Sequence, residues 1–351
     1  MTKKIFCAIA VCSFLITGSL WAQSTPTEAL LVLSKVDQTL SIVDPVSLKV
    51  VARIPVGKDP HEVIASTDGK FAYVSNYGYG AYNTLAVVDL IAHKALPAVE
   101  LGPLRGPHGL AFADGKLWFT AEVAKSIARY DPEASKVDWI LGIGQNRTHM
   151  IFVSPDSARI VTTNVNSGTV SIIDKISVRP PGPVPGAQTS RPNYTQPLGS
   201  GVDWTETVVP VGKGPEGFDI SPDGKEIWTG NSQDGTVSVI DTATKKVIQT
   251  IPANVPGSNR VKFTPDGKLV FISSLHSPDV TVFDAATRKE VKRIPVGHAS
   301  EGILVQPDGA RVFVSTSPDD YVTVIDTKSL QVTGRIEAGH EPDGLAWAVQ
   351  R

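Results

Sequence analysis

Residues 221–250 read SPDGKEIWTGNSQDGTVSVIDTATKKVIQT, and three pieces of that stretch decide the fold. Ser221-Pro222-Asp223-Gly224 is a tight turn, in which Pro presets φ and Gly takes the positive φ. Residues 226–231 follow as one strand and 236–241 as the next, the second alternating apolar with small or polar residues at the period of a β-strand. That second strand recurs as TLSIVD (39–44), TLAVVD (84–89), SIARYD (126–131), TVSIID (169–174), TVSVID (236–241), DVTVFD (279–284) and YVTVID (321–326). The terminal aspartates, Asp44, Asp89, Asp131, Asp174, Asp241, Asp284 and Asp326, lie 45, 42, 43, 67, 43 and 42 residues apart. A period of this length with several strands per unit marks four-stranded propeller blades, because one such sheet cannot bury both faces until neighbours pack on it. Seven copies predict an all-β, seven-bladed β-propeller of antiparallel blades.

The other strands fall into place around this repeat. Second strands are expected at 71–76, 117–120, 160–163, 226–231, 270–274 and 312–316, after turns at 66–69, 112–115, 154–157, 221–224, 264–267 and 306–309. Fourth strands such as 50–57 and 291–297 fall outermost, and inner strands begin after lead-ins such as Pro215-Glu216-Gly217. The last inner strand, GLAWAVQ (344–350), has no such turn after it. Its blade is expected to take its other three strands from the N-terminal side, starting with ALLVLS (29–34), which removes an open sheet edge.

The segments SPDGK (221–225), YVSN (73–76) and VSVIDTATKKVIQTI (237–251) resemble the YVTN-repeat propellers, a family of secreted seven-bladed proteins that includes the YncE-like proteins. The resemblance spans essentially everything after the leader and is specific for fold. For function it implies a choice: related propellers include lactonases, streptogramin lyase and haem or amine dehydrogenase propellers, and others are binding or surface proteins.

Composition agrees with many short strands joined by tight turns: 41% apolar, 19% charged, with 30 Gly and 26 Pro, against a helical bundle or a disordered chain. A net charge of −2 argues against a nucleic-acid partner, since duplex affinity rests on Lys and Arg neutralising phosphates. Residues 1–22 read as a signal peptide: Lys3 and Lys4, an apolar run over 5–20 too short to span a membrane comfortably, and Ala22 at the cut. Val11 before Cys12 departs from a lipoprotein signal, so the expectation is a periplasmic or secreted monomer with no membrane span after cleavage, one propeller domain over 23–351. Cys7 and Cys12 both lie in the leader, which excludes disulfides, thiolate zinc sites and covalently attached haem from the remainder.

One residue per blade aligns at the start of the inner strands, beside the channel: His61, His108, His149, Glu216, Arg260, Glu301 and Asp343. The loops on that face also carry His276, His298 and His340, leaving His93 on the opposite face. His61, His108 and His149 come from three consecutive blades and have the ligand chemistry for a divalent transition metal. Alternatively they line a wet channel mouth through separate hydrogen bonds, with Arg260 balancing Glu216 or Glu301. The loop Tyr77-Gly78-Tyr79-Gly80-Ala81-Tyr82-Asn83 offers three tyrosines as a lip over a ligand or as ordinary rim residues, and Arg105 an anion contact or a solvated cation.

A Pro- and Gly-rich insertion at about 176–204 is expected as an irregular loop on the face opposite the histidines, a docking arm for an envelope protein, a plug over the rear of the channel, or a variable loop with no role. No GxSxG, HExxH, GxxxxGK[ST] or dinucleotide motif occurs. Three functions remain: a propeller binding a small molecule, glycan or peptide at the polar crown; a metal-dependent lyase or lactonase-like hydrolase with Glu216 or Glu301 as base; and an electron-transfer propeller with a noncovalent cofactor.

Overall fold

Alternating burial is what makes the strands pack on both faces. In the strand Glu28–Ser34, Leu31 and Leu33 join one apolar cluster with Val63, Val74 and Val88, while Leu30 and Val32 join another with Phe313, Val322 and Val324. Each sheet therefore shares a layer of core with the blade before it and the blade after it. The computed structural model, which describes residues 25–178 and 201–351, shows the outcome: seven four-stranded antiparallel sheets in a ring.

The ring closes as expected. The inner strand Pro342–Val349 pairs antiparallel with Glu28–Ser34, with Leu30 opposite Trp347 and Val32 opposite Leu345. Thr39–Asp44 and Lys49–Pro55 complete that blade.

The repeating aspartate is explained by the turns. Asp44 accepts from Val46 N at 2.8 Å, Asp241 from Thr244 N at 2.7 Å and Asp326 from Ser329 N at 2.8 Å, with Asp89, Asp131 and Asp284 in the same role. Each caps the hairpin between third and fourth strands. Asp174 differs because its strand runs on: it pairs instead with Arg159 at 2.7 Å and Lys245 at 2.6 Å.

Two expectations need correction. The first-to-second-strand turn at 112–115 is not of the SPDG kind: Ala113 pairs with Lys116, leaving a two-residue loop of Asp114 and Gly115, both at positive φ, the geometry that matches hairpin twist. The insertion is also shorter than its composition suggests. Thr169–Val178 and Gly201–Pro210 stay paired out to Val178 opposite Gly201, so 176–178 and 201–204 are ladder rather than loop. Proline begins only at Pro180, and Lys175 to Val178 retain every ladder donor. The rest of the insertion, and the leader with both cysteines, lie outside the described residues. Among the described residues no helix is long and apolar enough to cross a membrane.

Candidate functional site

Four of the seven aligned residues, His149, Glu216, Glu301 and Asp343, are held in place by a device that the strand sequences carry. In the second strands a hydroxyl sits at a fixed place: Ser75, Thr120, Thr163, Ser273 and Ser315. Thr120 accepts from Gly109 N at 2.9 Å in its own blade and donates to His149 O at 2.7 Å in the next. Thr163 donates likewise to Glu216 O, Ser273 to Glu301 O and Ser315 to Asp343 O, at 2.6 to 2.7 Å. Thr120, Thr163, Ser273 and Ser315 thus tie the backbone of one blade's axial residue to the blade before it, whereas Ser75 accepts from Glu62 N within its own blade. In four blades close approach is allowed by glycine after the axial residue, at Gly109, Gly217, Gly302 and Gly344: a Cβ on Gly302 would stand 2.1 Å from Asp343 O.

The axial side chains meet in a compact crown. The rings of His61 and His108 are 4.6 Å apart between centroids, and those of His108 and His149 are 3.7 Å apart. Tyr77 closes the group, 5.1 Å from His61 and 4.9 Å from His108. His149 Nδ1 faces Glu122 Oε1 at 2.6 Å and Nε2 faces Glu216 Oε2 at 2.7 Å. With a carboxylate on each nitrogen, both nitrogens donate and the ring is an imidazolium; burial alone would lower its pKa, but Glu216 and Glu122 raise it. Burial works against the Glu216 carboxylate too, yet the charges on His149 and Arg147 hold its pKa down at about 2. Arg147 lies 3.3 Å from Glu216 and 3.7 Å from Glu122, and the Tyr77 hydroxyl donates to Glu122 at 2.5 Å.

On the other side of the axis, Lys35 reaches Glu301 at 2.7 Å and Asp343 at 3.1 Å. Burial pushes both acids up despite that cation, helped by the charge of Asp343 at Glu301 and by that of Glu62 at Asp343. His61 Nδ1 lies 3.2 Å from Asp343 Oδ2, too poorly aligned to be a hydrogen bond. Burial, with Lys35 and Arg260 nearby, keeps His61 well below its usual pKa.

His108 is the exception in this network. It is fully buried, and neither ring nitrogen has a hydrogen-bond partner. Burial and then the charge of His149 hold its pKa well below the usual imidazole value. A buried polar atom left unpaired costs about 1–3 kcal/mol.

The structure gathers all seven aligned residues, but not all their expected neighbours. Arg260 pairs with Glu62, not with Glu216 or Glu301, because Glu216 is taken by His149 and Arg147 and Glu301 by Lys35. Of the tyrosines, only Tyr77 enters the crown. Tyr79 is 88% exposed, and Tyr82 packs against Gly78 beside a separate groove. Arg105 donates to Ala81 O at 3.2 Å on the rim. His276 is exposed at the rim, while His298 and His340 pair there with Asp319 and Asp37.

Sequence reasoning missed Lys35, Glu62, Glu122 and Arg147. Glu122 and Lys35 each follow directly on a second strand, in the loops assigned to this face, which was the available signal. Glu62 and Arg147 each lie within two residues of an axial histidine. A register shift between Pro60 and Glu62 turns Glu62 inward as well.

Comparison with known proteins gives one family match: the cytochrome D1 heme domain model matches residues 202–310, just under a third of the chain. None of the curated proteins compared with the chain matches it. Among solved structures it is similar to a functionally unknown protein from Desulfotomaculum acetoxidans (TM-score 0.70, 14% identity, covering 92% of this chain and 99% of that one). It is similar as well to a proposed 6-phosphogluconolactonase from Bacteroides uniformis (TM-score 0.70, 14% identity, 92% and 100%). A third is the dihydro-heme d1 dehydrogenase NirN in complex with DHE (TM-score 0.63, 16% identity, 90% and 64%). At these identities the likeness is one of fold.

The crown does not fit a haem. The three clustered histidines fall outside the matched stretch. Their rings leave no slot for a macrocycle, and the cations that would meet its carboxylates, Lys35, Arg147 and Arg260, are each committed to an acid.

Proposed function

We propose that this is an exported propeller that holds a divalent transition-metal ion in its axial crown and binds a small molecule there. The observation that carries the reading is His108, a neutral, fully buried imidazole with both nitrogens unpartnered. Neutral imidazole suits zinc, copper and nickel. His149 and Glu122 supply a second nitrogen and a carboxylate oxygen, and the donor atoms of all three residues lie within 4.8 Å of one another. The set differs from the three histidines expected from sequence: Glu122 joins it, and His61 stands beside it near Asp343. An ion here would exchange for the proton on His149, with Glu216 and Arg147 adjacent to balance the charge. The leader, with Lys3, Lys4 and the apolar run to Leu20, supports export to the periplasm or beyond.

A second reading, a metal-dependent lyase or lactonase-like hydrolase at the same crown, is favoured by one observation. Glu301 has a raised pKa beside Asp343, as a general acid or base needs, whereas Glu216 at about 2 is a poor base near neutral pH. Glu301 is then the residue to test for catalysis.

Isothermal titration of untagged, chelator-treated protein with zinc and with copper tests the binding reading. One equivalent is expected, with His108→Ala and Glu122→Gln each weakening it at least a hundredfold and an unchanged far-ultraviolet spectrum. No binding by the wild type, or binding equal in His108→Ala, overturns it. A Soret band in the purified protein would overturn the exclusion of haem.

A further inference from the structure

Below the crown the channel changes character. The inner strands begin at the histidine face, so residues later in each strand lie deeper along the axis. Beneath the Glu62–Arg260 pair a cavity of about 350 Å³ is walled by Leu110, Phe152, Phe218, Leu304 and Leu345. Phe152, Leu304 and Leu345 are half-buried, so solvent reaches them. It does not come through the crown, where His108, Arg260 and Asp343 are buried. The opening is therefore on the face away from the histidines.

The cavity's charges are already matched. Arg260 is bound to Glu62. Lys262 lies 3.7 Å from Asp219, whose other oxygen accepts from Phe263 N at 2.9 Å. A charged ligand would have to break a pair or enter an apolar space uncompensated, which is costly. An uncharged, mostly apolar one loses nothing of the kind. The volume is at the lower end of small-molecule sites, and a cavity of about 150 Å³ with apolar walls already admits benzene.

We infer that this channel is a second binding site, for an uncharged, largely apolar molecule of one to three rings or the equivalent chain, entering opposite the crown. It stands independently of any metal in the crown, since His108, Glu122 and His149 do not line this cavity.

The probe is N-phenyl-1-naphthylamine, neutral, two-ringed in its larger part and fluorescent in apolar surroundings. Titrated into the intact protein, it is expected to saturate at one equivalent with a blue-shifted, enhanced emission. Leu304→Trp, which fills the cavity with an apolar side chain, and Phe152→Asp, which charges its wall, should each weaken binding at least tenfold. Ile140→Ala, on an exposed outer strand, should leave it unchanged. Two variants of opposite chemistry keep the test valid if one fails to fold. Absence of saturable binding overturns the inference. So does wild-type affinity in a folded Leu304→Trp, or tighter binding of the sulfonated analogue 1-anilinonaphthalene-8-sulfonate than of the neutral probe.

Discussion

Replacing Thr120 by Val tests how the ring positions its axial residues. Val has nearly the same shape, so no cavity is made, and Thr120 is fully buried, so water cannot step in. Two hydrogen bonds disappear, from Gly109 N at 2.9 Å and to His149 O at 2.7 Å. Both groups sit where the ladder slips, between Pro107 and Leu110 and between Thr148 and Ile151, so neither gains a strand partner in exchange. At about 1–3 kcal/mol for each stranded group, the loss should be about 2–6 kcal/mol. Thr120→Ser keeps the hydroxyl and gives up one methyl, about 1 kcal/mol. Equilibrium urea unfolding measures both, with the slope m expected to stay constant. A Val variant within about 0.5 kcal/mol of wild type, or a Ser variant as unstable as Val, refutes the reasoning.

Two further outcomes follow from the same geometry. Because the Glu216 carboxylate is held at about 2 in the folded state, its contribution is present above the ordinary carboxylate range and is lost as pH falls. The stability advantage of wild type over Glu216→Gln should therefore shrink by about 3 kcal/mol between pH 5 and pH 2, and a constant advantage in urea melts across that range contradicts the pairing. Gly302→Ala should prevent or strongly destabilise closure of the ring, because its Cβ would meet a backbone oxygen at 2.1 Å. Gly142→Ala, with nothing within 4 Å, should change thermal stability little. Equal melting temperatures for the two would contradict the packing argument.

The architecture was legible because the hydrophobic period and the turn chemistry repeat together. The copies from TLSIVD to YVTVID, each followed by its turn, give the blade count, and counting back to the inner strands finds His61, His108 and the five residues equivalent to them. The partners of those residues were not legible in the same way. Arg260 meets Glu62 across the axis from a blade remote in sequence, a pairing decided by which acids Lys35, Arg147 and His149 have already engaged. Glu122 looks like any loop acid until its place beside His149 is known. The tyrosine loop misled for a local reason: with Gly78, Tyr79 and Gly80 all at positive φ, the chain turns Tyr77 inward and leaves Tyr79 in solvent. In the insertion, proline content masked the fact that the flanking residues keep the two-residue alternation of a hairpin.

An anomalous-difference map at the zinc edge, from crystals grown with one equivalent of zinc, bears most directly on the crown. The account predicts a single strong peak at about 2.0–2.2 Å from a His108 nitrogen and a Glu122 oxygen, with His149 the third ligand. A peak only at the rim, beside His298 or His340, with His108 still unpartnered, would contradict it.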